Sequence, residues 1–129
     1  MKGKFVRIGV AVAVALGAAT AVPAHADGGV TCAYTFQAWA GGFAADLAMT
    51  NNGAQPVSGW TVRMTFPTAT SGINAWQAAM SQDTPYDATA TNRSWNAVIV
   101  TGQMASFGWT AIAATTGPPT SVTVNGVAC

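Results

Sequence analysis

Charge is what this sequence has least of: only 7% of its 129 residues are Asp, Glu, Lys or Arg. Beyond residue 26 it has no Lys, no Glu and no His, only Arg63 and Arg93 against Asp27, Asp46, Asp83 and Asp87, a net charge of −2. Two separated cations leave no electrostatic footprint for a phosphate backbone, which excludes nucleic acid as a partner. Without histidine, lysine or a free thiolate, no nucleophile–base pair can be assembled, and oxidative cleavage would lack its metal-ligating histidines. Glycoside hydrolysis normally needs a positioned pair of carboxylates. Asp27 stands at the margin of the domain, Asp46 lies in a strand pattern, and Asp83 and Asp87 flank Pro85 as solvated turn residues. The expectation is therefore no enzyme, no cofactor and no metal. Polarity must come from Thr, Ser, Asn and Gln, which suits a neutral, hydroxyl-rich partner.

Helical periodicity is missing as well. No segment carries apolar residues at 3.6 spacing for three turns. The one long apolar run, Ile8 to Val22, contains Gly17 and Thr20 and stops at Pro23, short of the roughly 20 residues a membrane span needs. It follows the basic residues Lys2, Lys4 and Arg7 and precedes Ala24-His25-Ala26. These are the three regions of a secretory signal peptide, so residues 1–26 are expected to be removed. Residues 27–129 then form one secreted, extracellular or cell-surface domain, monomeric and not membrane-bound. Cysteine is scarce too: Cys32 and Cys129 bracket almost the whole mature chain. Export makes them oxidisable, and one disulfide is expected between the first and last strands. Closing a loop of about 100 residues is worth up to roughly 4.7 kcal/mol in the chain-entropy model.

What is present is period-2 alternation. Cys32, Tyr34 and Phe36 alternate with Ala33, Thr35 and Gln37, which sets Gln37 and Trp39 on the face opposite the cysteine. Phe43, Ala45, Leu47 and Met49 share a face until Asn51-Asn52-Gly53 ends the strand, and Trp60, Val62, Met64 and Phe66 share another. Val98-Ile99-Val100 and the Ala105, Phe107, Trp109 alternation are two apolar strands around a turn containing Gly102. Ile73 to Met80 fits a short strand or a helical turn, Ser81 to Thr91 reads as polar and irregular, and Ser121 to Val127 as a last strand. Many short strands with turn signals between them predict an all-β fold, an antiparallel β-sandwich of two sheets.

The five tryptophans divide by context. Trp60 and Trp109 alternate in register with apolar residues and read as core. Trp39, Trp76 and Trp95 stand among polar or small residues: Gln37 with Gly41-Gly42, Asn74 with Gln77, and Arg93 with Asn96. Partial core packing would suit any one of them; three together suggest an exposed aromatic surface, which on a secreted monomer marks a binding site. Flat rings stack on apolar ring faces at roughly 1–3 kcal/mol each, by analogy with bases on aromatic platforms. A pyranose offers such a face, with hydroxyls at its rim for Asn and Gln. A flat polysaccharide is the ligand these residues fit; a β-sandwich adhesin binding protein or host glycan, or a small glycoside hydrolase, are the alternatives.

From Cys32 to Cys129 the chain resembles a family 2 carbohydrate-binding module, the bacterial cellulose-binding domain attached to many cellulases and xylanases. The likeness is carried by the cysteine pair, Trp39-Ala40-Gly41-Gly42-Phe43, Asn51-Asn52-Gly53 and Val57-Ser58-Gly59-Trp60-Thr61-Val62. Trp95-Asn96 followed by Thr101-Gly102, then Ala105-Ser106-Phe107-Gly108 and Asn125-Gly126, complete it in order. The resemblance implies that Trp39, Trp76 and Trp95 are the planar binding tryptophans and Trp60 the core one. In the cellulose-binding branch a glycine three residues after the first binding tryptophan lets that indole lie flat, where the xylan-binding branch tends to carry Arg; here the position is Gly42. Cellulose is the implied ligand, chitin a second, and the module is expected to be free-standing. Trp109 stands where the family usually has Phe, and Arg93 adds a charge near the proposed face.

Overall fold

The computed structural model describes residues 29–115 and 117–129. The expected signal peptide lies outside the described residues. Among those residues every regular element is a strand: β1 (Val30–Trp39), β2 (Gly42–Asn51), β3 (Val57–Ser58), β4 (Thr61–Thr65), β5 (Thr70–Trp76), β6 (Ala78–Ser81), β7 (Asp87–Asn92), β8 (Val98–Ile99), β9 (Met104–Ala113), β10 (Ser121–Val124) and β11 (Val127–Ala128). They make a four-stranded sheet in the order β1-β2-β9-β5 and a five-stranded sheet in the order β11-β10-β4-β7-β6, with a small β3-β8 ribbon. All pairings are antiparallel. The fold is the expected all-β sandwich of two main sheets, with the ribbon as an addition.

Alternation builds the core. Phe43, Ala45, Leu47 and Met49 of β2, and Phe107, Trp109, Ala111 and Ala113 of β9, turn inward from the four-stranded sheet. They meet Trp60, Val62, Met64 and Phe66, with Ala88, Ala90 and Val124, from the other. Trp60 and Phe107 stack at 5.4 Å between ring centroids, and Phe107 and Trp109 at 5.7 Å. Trp60 and Trp109 are both core residues, as expected, at 1% and 0% exposure.

A disulfide joins Cys32 on β1 to Cys129, just past β11, with their Cα atoms 5.4 Å apart. β1 and β11 are each an edge strand of their sheet, so the bond staples one open side of the sandwich. At the C-terminal end of β2, two residues beyond the Met49 that pairs with Cys32, buried Asn51 donates its amide to the carbonyls of Ile99 and Gln55 at 2.8 and 2.9 Å, and its Oδ1 accepts the Gly53 N–H at 2.9 Å. The turn expected there is thus also a buried polar clamp on the β8 segment.

Four local expectations change or are extended. The ambiguous stretch from Ile73 to Met80 is two strands in different sheets: β5 ends at Trp76, β6 begins at Ala78, and Gln77 makes the crossing at φ 66°. The stretch from Ser81 to Thr91 is not all irregular. It contains most of β7, whose inward residues are Ala88 and Ala90; alanine's small side chain weakens the alternation that would have marked them. The runs on either side of Gly102 are strands around a turn, as expected, and what is added is that they belong to different sheets, with β8 paired to β3 and β9 to β2 and β5. The last strand is a hairpin, β10 and β11 around Asn125 and Gly126 at φ 51° and 84°. Two successive positive φ values are what an Asn-Gly hairpin turn supplies.

Candidate functional site

The outward face of the four-stranded sheet is set by the same alternation. Its cross-strand pairs line up in rows. One row is Trp39, Gly42, Ile112 and Ser71; the next is Gln37, Ala44, Thr110 and Asn74; the third is Thr35, Asp46, Gly108 and Trp76. Trp39, Gln37, Asn74 and Trp76, widely separated in sequence, therefore share one exposed surface. On the β1 and β2 side lies an open depression lined by Thr35, Phe36, Gln37, Ala44 and Asp46.

Two of the indoles rest on glycine. A Cβ at Gly42 would stand 3.0 Å from Trp39 Nε1, 3.3 Å from its Cε2 and 2.7 Å from the Ala111 carbonyl. A Cβ at Gly108 would stand 2.6 Å from both Nε1 and Cζ2 of Trp76 and 2.5 Å from Asp46 Oδ1. Both glycines are buried although they face outward, covered by the rings above them. The rings are 53% and 44% exposed. A side chain at Gly108 would displace the Trp76 indole and the Asp46 carboxylate, and one at Gly42 would press on the Ala111 carbonyl and crowd the Trp39 indole.

Trp95, 70% exposed, is held differently. It sits in the loop after β7, and its Nε1–H donates to Gln77 Oε1 at 2.8 Å. Asn96 Nδ2 donates to the Gln77 carbonyl at 2.7 Å, Asn96 Oδ1 accepts the Arg93 N–H at 2.8 Å, and the Asn96 carbonyl accepts the core Trp60 indole N–H at 2.8 Å. Asn96, expected as a ligand contact, thus has its side chain engaged by the protein and connects Trp95 to both the core and the sheet crossing. Gln37 and Asn74 are exposed on the face itself.

Two residues of this surface, Asp46 and Ile112, were not singled out as site residues by the sequence, and Gln77 was marked only as a polar neighbour of Trp76. Gln77 adjoins Trp76, but only the sheet crossing reveals what it holds. Asp46 alternates outward from Phe43, yet its place beside Trp76 depends on the β2-β9-β5 register. Ile112, 61% exposed, follows from extending the β9 alternation past Trp109.

Asp87 is engaged in its own turn. The Asp87 carboxylate accepts the N–H groups of Thr84 and Asp83, both at 3.2 Å, and the Thr84 hydroxyl at 3.0 Å. Those bonds from Thr84, backbone first, hold its carboxyl below the ordinary value, which suits a turn anchor and not a proton donor. Burial pushes the Tyr34 phenol up to about 12, and neither its hydroxyl nor the Trp109 indole N–H has a hydrogen-bond partner among the described residues. No group of three or more His, Cys, Asp or Glu that could hold a metal occurs among the described residues.

Comparison with known proteins gives the same picture. Residues 30–129 match the family described as cellulose binding domain. The chain is 39% identical over 119 residues to Endoglucanase CelA of Streptomyces lividans, covering 90% of this chain and 26% of the enzyme. It is 34% identical over 107 residues to Exoglucanase A of Cellulomonas fimi, covering 82% and 12%. To Chitinase C of Streptomyces lividans it is 32% identical over 110 residues, covering 84% and 17%. It therefore spans about a quarter or less of these relatives' length. The solution structure of the chitin-binding domain of Chi18aC from Streptomyces coelicolor superposes with a TM-score of 0.62 at 31% identity, over 75% of this chain and 90% of that one. The cellulose-binding family 2 carbohydrate binding domain from ScLPMO10C shares the fold, with a TM-score of 0.55 at 21% identity over 78% and 94%. Matched along the whole of its β-sandwich, the chain belongs to the cellulose binding domain family.

Proposed function

We propose that this domain is a non-catalytic module that lies flat on cellulose through Trp39, Trp76 and Trp95. The observation that carries the reading is the seating of the first two indoles on Gly42 and Gly108. Exposed apolar rings are not needed by the core, and glycines beneath them keep both rings low against the sheet. Each ring presents an apolar face to a pyranose, worth roughly 1–3 kcal/mol by analogy with base stacking. Gln37 and Asn74, in the row between, supply donors and acceptors for ring hydroxyls. Asn96 acts indirectly, by fixing the Trp95 loop. The role is binding without turnover, performed outside the cell by a monomer after signal removal; whether in a free-standing protein or beside an enzyme does not alter the surface chemistry.

Chitin is the second ligand, and Asp46 favours it. Its carboxylate reaches the space above Gly108 beside the Trp76 ring, where an acetamido N–H could make a charge-assisted hydrogen bond, stronger than a neutral one. The test is co-sedimentation with microcrystalline cellulose and with chitin, paired with a reducing-sugar assay. The mature protein is expected in the pellets with no sugar released. Turnover above blank would revive a hydrolase, and absence from every pellet would favour a protein-binding sandwich.

A further inference from the structure

Ile112 has no part in seating the tryptophans, yet it is one of the most exposed large apolar residues of the domain, at 61%. It stands in the row of Trp39, one strand beyond Gly42 and opposite Ser71. A Cβ on Gly72 would meet Ile112 Cδ1 at 2.9 Å and Cγ1 at 3.3 Å, so the side chain lies along β5 over a third glycine. Gly72 itself sits at φ 62° where the β5–β9 register shifts between Ser71 and Asn74. Ile112 is thus, like Trp39 and Trp76, a large apolar group beside a glycine on the outward face, although Gly72, unlike Gly42 and Gly108, is itself exposed.

Its place in the grid matters. With the rings seated over Gly42 and Gly108, a strand spacing of about 4.8 Å and a rise of about 3.3 Å per residue put Ile112, laid toward Gly72, roughly 5–8 Å to one side of the line of the two rings. A single glucan chain stacked along the tryptophans passes beside it. A second chain lying parallel in the same flat polymer surface passes over it. We infer that Ile112 is a further ligand contact that takes the apolar ring face of this neighbouring chain, widening the footprint from one chain to two and favouring crystalline over soluble glucan. The inference rests on the polysaccharide reading above. The bland explanation is that a β-branched residue simply suits a strand.

Ile112→Thr separates these, because threonine keeps the β-branch and strand preference while removing the apolar tip. Binding isotherms on microcrystalline cellulose and on soluble cellohexaose are measured for wild type, Ile112→Thr and Ile112→Phe, with unfolding midpoints alongside. The expected result is a loss of roughly 5-fold for Ile112→Thr on the crystalline surface, from the apolar area no longer covered, with cellohexaose binding unchanged. Ile112→Phe, a second strand-compatible variant, should bind the crystalline surface at least as well as wild type. Unchanged crystalline binding by Ile112→Thr, or equal losses on both ligands, would overturn the two-chain footprint alone. Failure of wild type on crystalline cellulose would overturn the function reading and this inference together.

Discussion

Gln77 Oε1 accepts the Trp95 indole N–H at 2.8 Å from a residue held at φ 66°. A side chain other than glycine in the left-handed region is strained, and such strain persists only where surrounding contacts hold it. Here the contacts are the Trp95 and Asn96 bonds, and the residue is where the chain crosses between sheets. Trp76 on one side of Gln77 and Trp95 on the other are thereby coupled.

Gln77→Gly tests that coupling. Glycine adopts φ 66° freely and keeps the carbonyl that Asn96 uses, so the unfolding midpoint should stay or rise. Trp95 loses its anchor, and ordering a free side chain on binding costs roughly 0.5–1.5 kcal/mol. Cellulose affinity should therefore fall about 2- to 13-fold. A variant with unchanged affinity would show that Trp95 needs no such hold.

How far the sequence reaches depends on which residues carry strong periodicity. Phe43 to Met49 and Trp60 to Phe66 alternate large apolar with small or polar groups, and both faces are as expected. Ala88 and Ala90 bury too little to announce β7. The division of the tryptophans into Trp60 and Trp109 inside and the other three outside was legible from neighbours alone. The Gly108 seat, the Gln77 anchor and the place of Asp46 were not, because each is created by pairing across strands far apart in the chain.

Trp60 and the face tryptophans should separate cleanly by measurement. Trp60→Ala removes a buried aromatic that also bonds the Asn96 carbonyl, and should cost about 3–5 kcal/mol in denaturant unfolding. Gly108→Ala should instead displace the Trp76 ring and weaken cellulose binding. An intact affinity in Gly108→Ala would argue against a flat, seated indole.

Tyr34 gives the domain an alkaline weakness. Its phenol is raised to about 12 by burial, while in the unfolded chain it ionises near 10. The unfolded state therefore sheds the proton first, and stability present below pH 10 is lost as pH rises toward 12. Tyr34→Phe should flatten this loss without harm at neutral pH, since the hydroxyl has no partner among the described residues. A steep alkaline decline surviving in Tyr34→Phe would place the cause elsewhere.

Salt distinguishes stacking from ion pairing. The described cations are Arg63 and Arg93, and the Debye length shrinks to about 3 Å at 1 M salt. Cellulose binding should survive 1 M salt almost undiminished. A steep loss, abolished by Arg93→Ala, would point to an anionic glycan.

The most direct measurement compares wild type with the triple variant Trp39→Ala, Trp76→Ala, Trp95→Ala in a cellulose binding isotherm, with the unfolding midpoint of each recorded. All three rings are exposed, so the triple variant should unfold near the wild-type midpoint and no longer sediment with cellulose. A folded triple variant that still binds with wild-type affinity would contradict the planar tryptophan face.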